Sequence, residues 1–105
     1  MSYKSPILIG FVHTDHNLEI SSFILIEAKK DYVKISTTDN SYLVRNNLKV
    51  FLEQLPENIL IRINKSQAIN INQIDRIKKN IIYTKNDIFF KIGKSYTKKV
   101  NQLLK

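Results

Sequence analysis

Three short polar clusters interrupt a sequence that is otherwise rich in β-forming apolar runs: Lys29-Lys30-Asp31, Asn64-Lys65-Ser66-Gln67 and Gly93-Lys94-Ser95. Each sets flexible cations beside amide, carboxylate or hydroxyl groups. Such groups contact phosphate oxygens and base edges. An Asn amide pairs with adenine N6 and N7, and a Lys ammonium donates to guanine acceptors. Three ordinary solvated loops would carry the same residue types, so the clusters alone do not decide. The remaining reactive side chains point nowhere else. His13 and His16, with Asp15 between them, lack the third and fourth ligands that zinc requires. No Ser/His/Asp triad is suggested, because the two histidines share one stretch near the N-terminus. Gly10 and Gly93 are isolated, which leaves no glycine loop to cradle a phosphate. The chain has no cysteine, so disulfides, thiolate metal sites and cysteine nucleophiles are excluded. The expectation is a binding protein, not an enzyme, with no metal, no cofactor and no small-molecule substrate.

Charge gives the binding a direction. Lys and Arg number 17 against 9 acids, a formal net charge of +8. The excess lies in the second half. Residues 59–105 hold eleven basic side chains and two acidic ones, whereas residues 1–58 hold six basic and seven acidic. A one-sided cationic field attracts a polyanion by steering and counterion release. No apolar run approaches the roughly 20 residues of a membrane span. Met1–Pro6 with Ile7–Val12 is too short and too soon followed by His13 and Asp15 to read as a signal peptide. A cytoplasmic protein without a membrane partner is expected.

These clusters need a frame, and the patterning supplies one. A chain of 105 residues has room for a single domain. With only two Gly and two Pro, it holds no flexible linker. Ile7–Val12 and Ile24–Ala28 are short apolar runs, and His13–Asn17 reads as a polar turn. In Tyr32–Thr37, Val33 and Ile35 alternate with Tyr32, Lys34 and Ser36, the period of a half-buried strand. Thr38-Asp39-Asn40-Ser41 suits a hairpin turn into Tyr42–Arg45. Further strands are expected at Ile59–Ile63, Ala68–Ile71, Ile74–Lys78, Ile81–Lys85 and Ile88–Ile92, with Ile88, Phe90 and Ile92 on one face. Two stripes are helical instead. Leu48, Phe51, Leu52 and Leu55 lie one turn apart after a capping Asn46 or Asn47 and before Pro56; Tyr96, Val100, Leu103 and Leu104 repeat the spacing. Seven to nine short strands and two short helices make a mainly β domain.

The order of these elements, from about Ile24 to Leu104, resembles the LytTR DNA-binding domain of bacterial transcriptional regulators. The run from Ile24 through Glu27-Ala28 to Tyr32-Val33-Lys34-Ile35 is similar to that family's opening "I-x-x-I-E-A, polar turn, Y-V-x-I". Tyr42–Leu48 followed by Leu52-Glu53-Gln54-Leu55-Pro56 resembles its hairpin-into-helix passage. Leu60–Asn70, with Arg62-Ile63-Asn64-Lys65-Ser66 at its centre, resembles the most diagnostic stretch, and Ile74-Asp75-Arg76-Ile77 fits the strand after it. Ile92-Gly93-Lys94-Ser95-Tyr96 stands where the family has "V-S-R-x-Y".

The resemblance implies an elongated mainly β fold of small antiparallel sheets with two short helices. Residues 1–105 are expected to form one DNA-binding domain of this kind, with residues 1–23, which the resemblance does not cover, read as an N-terminal β extension. It also implies a sequence-specific regulator whose loops enter successive major grooves of bent double-stranded DNA at direct-repeat or paired sites, with a homodimer on DNA possible. Position by position, the DNA contacts would fall on Lys29, Lys30 and Asp31, on Asn64, Lys65, Ser66 and Gln67, and on Lys94, Ser95 and Tyr96. Lys65 and Lys94 stand where many members have Arg, and Gly93 where Ser is common. Lys lacks the planar fork of Arg, so greater reliance on phosphates and DNA shape is expected. The alternative is a β-rich single-strand or RNA binder, or a protein-interaction module. A single-strand binder needs exposed aromatics on its basic face, and here Phe51 and Phe89 or Phe90 sit in apolar runs.

Overall fold

Period-2 alternation decides how the strands face. In a computed structural model, which describes residues 6–10, 15–56 and 58–104, ten strands, two short α-helices and three single 3-10 turns follow one another. β1 (Pro6–Gly10) and β2 (Asp15–Glu19) form an antiparallel hairpin of their own. The expected polar turn is therefore shorter than the sequence suggests: Asp15, His16 and Asn17 are strand residues, while His13 and Thr14 lie outside the described residues. β3 (Phe23–Lys29), β4 (Tyr32–Thr37), β5 (Ser41–Arg45), β6 (Leu60–Asn64) and β7 (Gln67–Asn70) make a five-stranded antiparallel sheet in the order β5-β4-β3-β7-β6. β8 (Ile74–Lys78), β9 (Ile81–Thr84) and β10 (Phe89–Lys91) make a three-stranded sheet in the order β10-β9-β8. The turn joining β8 to β9 puts both Lys79 and Asn80 at positive φ, as a two-residue type I′ hairpin demands. The molecule is elongated, 40 × 29 × 23 Å.

Helix α1 (Leu48–Glu53) starts at Asn47, whose side chain accepts a hydrogen bond from the Val50 amide. One turn on, the chain leaves the helix before Pro56. Helix α2 (Thr97–Leu103) follows the 3-10 turn Lys94–Tyr96. Both helices lie where the apolar spacing predicts them.

Two cores result, because consecutive residues of a central strand point to opposite faces. In β7, Ala68 joins the cluster built on Phe23, Ile26, Val33, Ile35 and the α1 residues Leu48 and Phe51. Its neighbour Ile69 joins the cluster of Ile61, Ile63, Ile82, Ile92 and Val100. One face of the β6–β7 end thus carries α1, and the other carries the three-stranded sheet and α2. Asn70 is fully buried and satisfied: its amide donates to the Phe23 carbonyl at 2.8 Å, and its oxygen accepts from the Asn72 amide at 2.9 Å. That pairing spares it the penalty of an unbonded buried polar group.

The three-stranded sheet departs from expectation at one strand. Phe90 and Ile92 turn inward as the alternation predicts, but Ile88 is 54% exposed and Phe89 is 65% exposed. Strand pairing in β10 begins only at Phe89, so Ile88 lies in the turn and escapes the inward face.

Candidate nucleic-acid interface

Antiparallel pairing forces the polar clusters to one end of the five-stranded sheet. Glu27 pairs with Gln67 across β3 and β7, so the end of β3 runs alongside the turn that joins β6 to β7. The Ala28 amide donates to the Ser66 carbonyl at 2.8 Å. This fixes the Lys30-Asp31 turn next to the Lys65-Ser66 turn. The third cluster arrives from the other sheet: the Gly93 amide donates to the Ile63 carbonyl at 2.7 Å. All three clusters singled out in the sequence therefore meet, held by backbone hydrogen bonds between strand ends.

Gly93 makes that approach close. A β-carbon at this position would stand 3.3 Å from the Asn64 Cα and 3.1 Å from the Tyr96 ring. With no side chain, the segment 93–95 lies flat against the β6–β7 turn. Its backbone φ of −64° is ordinary, so space and not strain explains the residue.

Within the cluster the side chains divide into supports and tips. Asn64 is half-buried and fully engaged. Its Nδ2 donates to Gln67 Oε1 at 2.9 Å and to the Lys91 carbonyl at 3.1 Å, and its Oδ1 accepts from the Ser66 amide at 3.0 Å. Gln67 continues the chain by donating to Glu27 Oε2 at 3.2 Å. Arg62 donates to the carbonyls of Asn64 and Lys65, and its guanidinium lies 5.8 Å from the centre of the Tyr96 ring. Asn64, Gln67, Arg62 and Tyr96 thus brace the loops from beneath. Lys29, Lys30, Asp31, Lys65, Ser66, Lys94 and Ser95 are all exposed at the tips. Lys30 sits at a positive φ of 38°, which turns the β3–β4 hairpin tightly.

Two arginines belong here that the sequence clusters omit. Arg62 braces the loop as described. Arg45 is exposed at the end of β5, opposite Tyr32. Its guanidinium lies 5.2 Å from the Tyr32 ring centre and donates to the Tyr32 hydroxyl at 3.1 Å. It therefore adds positive charge to the cross-strand row that runs from Arg45 through Tyr32 to Lys29.

Comparison with known proteins places the chain in a family. The model of the LytTr DNA-binding domain matches residues 14–105. The chain belongs to the LytTR DNA-binding domain family. The match reaches further towards the N-terminus than the motifs beginning at Ile24, and takes in β2. Among solved structures, a chain described as the LytTr DNA-binding domain of a methyl-accepting/DNA response regulator from Bacillus cereus superposes with a TM-score of 0.81. It is 21% identical, and the similarity covers 96% of this chain and 97% of that one. At this identity the likeness speaks for the LytTR fold. No curated protein is significantly similar. Among the described residues, no helix is long and apolar enough to cross a membrane.

Proposed function

We propose that this LytTR domain is a sequence-specific, double-stranded DNA-binding transcriptional regulator working in the cytoplasm. The observation that carries the reading is the convergence of the three loops, tied by the Ala28–Ser66 and Gly93–Ile63 backbone bonds. Loops held at fixed spacing suit successive major grooves on one side of a duplex, and a bent duplex would let all three engage at once. Lys65 and Lys94 would reach base edges or the phosphates beside them, with the hydroxyls of Ser66 and Ser95 alongside. Lys29, Lys30 and Arg45 would neutralise phosphates, and Asp31 would face a cytosine amino group or order its neighbours. Asn64, Gln67 and Tyr96 would serve the interface mainly by holding the loops. Direct-repeat or paired sites, with two copies side by side on DNA, fit a domain that offers one compact contact end.

Affinity for duplex DNA should fall steeply with salt. Neutralising about six phosphates gives a log–log slope near −5. Anisotropy titrations of a labelled duplex between about 50 and 200 mM salt measure it. A slope near zero would reject a phosphate-based interface.

A further inference from the structure

The outward face of the three-stranded sheet carries a second arrangement that the loop cluster does not use. The register aligns Arg76, Tyr83 and Phe89 in one row across β8, β9 and β10, and Lys78, Ile81 and Lys91 in the next. The inward row, Ile77, Ile82 and Phe90, packs into the core. On the outer face the Arg76 guanidinium lies 4.4 Å from the Tyr83 ring centre, and the Tyr83 and Phe89 rings are 6.4 Å apart. Phe89 is 65% exposed. Arg76, Lys78 and Lys91 are exposed around this aromatic pair. The one carboxylate on β8, Asp75, already pairs with Arg76 at 3.0 Å.

We propose that this face is a single-strand nucleic-acid site, in which unpaired bases stack on Phe89 and Tyr83 while Arg76, Lys78 and Lys91 hold the phosphates. An aromatic surface within a cationic border is the combination that binds single strands, because every base offers a π-face and every nucleotide a negative charge. Charge complementarity selects this occupant over a second copy of the chain. Two such faces stacked together would set Arg76, Lys78 and Lys91 against their own kind. Paired bases, buried in their own stack, cannot reach Phe89, so the site is separate in chemistry from the loop cluster. It adjoins that cluster at Lys91, whose carbonyl accepts from Asn64.

The test uses the full chain with labelled ten-nucleotide oligo(dT), oligo(U) and a duplex, read by anisotropy at about 50 mM salt. The wild type should bind at least one of the two single strands; which one tells DNA from RNA as the source. Phe89→Ala removes an exposed ring, and its thermal melting should match the wild type. It should weaken single-strand binding about tenfold and leave duplex binding within twofold. The loop variant Lys65→Ala/Lys94→Ala should do the reverse. The proposal is overturned if neither single strand binds, if both variants weaken single-strand binding equally, or if sedimentation shows a dimer that Phe89→Ala dissolves. The duplex measurements fail or succeed independently of these outcomes.

Discussion

Asn64→Ala is expected to lower the ratio of specific to nonspecific duplex affinity about tenfold or more, although the residue carries no charge. The side chain ties the Ser66 amide, the Gln67 amide group and the Lys91 carbonyl together. It is thereby a side-chain link between the β6–β7 turn and the segment leading to Lys94, alongside Arg62 over the Tyr96 ring. Removing it breaks all three bonds, each worth about 0.5–1.5 kcal/mol, and lets Lys65 and Lys94 wander relative to one another. Specific recognition depends on that spacing, and nonspecific attraction does not. Each 1.4 kcal/mol lost from the specific complex alone is about a factor of ten. Lys79→Ala is the comparison. Lys79 sits on the β8–β9 turn and should weaken both kinds of binding slightly, changing the salt slope by no more than about one. Competition titrations of specific against random duplex measure both variants. Equal ratios for the two would refute the assignment of Asn64 to the reading loops.

Phe23→Ala should have the largest effect on stability, about 3–5 kcal/mol. Phe23 is 0% exposed and is the largest fully buried side chain among the described residues. It opens β3, where its carbonyl also receives the amide of the buried Asn70. A cavity here would loosen both the first core and that hydrogen bond. A domain of ordinary stability, about 5–15 kcal/mol, would lose much of its margin. Urea denaturation followed by circular dichroism measures the loss. A change below about 1 kcal/mol would mean that the site collapses freely around the gap.

The contrast between Phe23 and Phe89 marks what the sequence could convey. Both stand beside apolar residues, yet one is wholly buried and the other is 65% exposed. Alternation within Phe89-Phe90-Lys91 gives two opposite faces. Which of them meets the core follows from where β10 pairs with β9, a tertiary fact. The helices were legible because their stripes and the Asn47 cap are local. The three polar clusters were legible as interruptions of the apolar runs, although Lys29, Asn64 and Gln67 turn out to be strand-end residues. Their meeting place was not legible, since it depends on the Ala28–Ser66 and Gly93–Ile63 bonds between distant strands. Asn64 illustrates the same limit. Its chemistry suits adenine, but its amide is occupied within the protein, and only the fold reveals those partners. Arg45 could have been found. The hairpin at 38–41 pairs Ser36 with Ser41, and the same register carries Tyr32 to Arg45, at the end where Lys29 and Lys30 stand.

The most direct test of the loop cluster as the reading surface is selection of bound sequences from random duplex DNA, run in parallel with the wild type and with Lys65→Ala/Lys94→Ala. The wild type should enrich a defined motif. The double variant should fail to enrich it while still binding random duplex with a shallower salt slope. Enrichment of the same motif with the same affinity by the double variant would contradict the account.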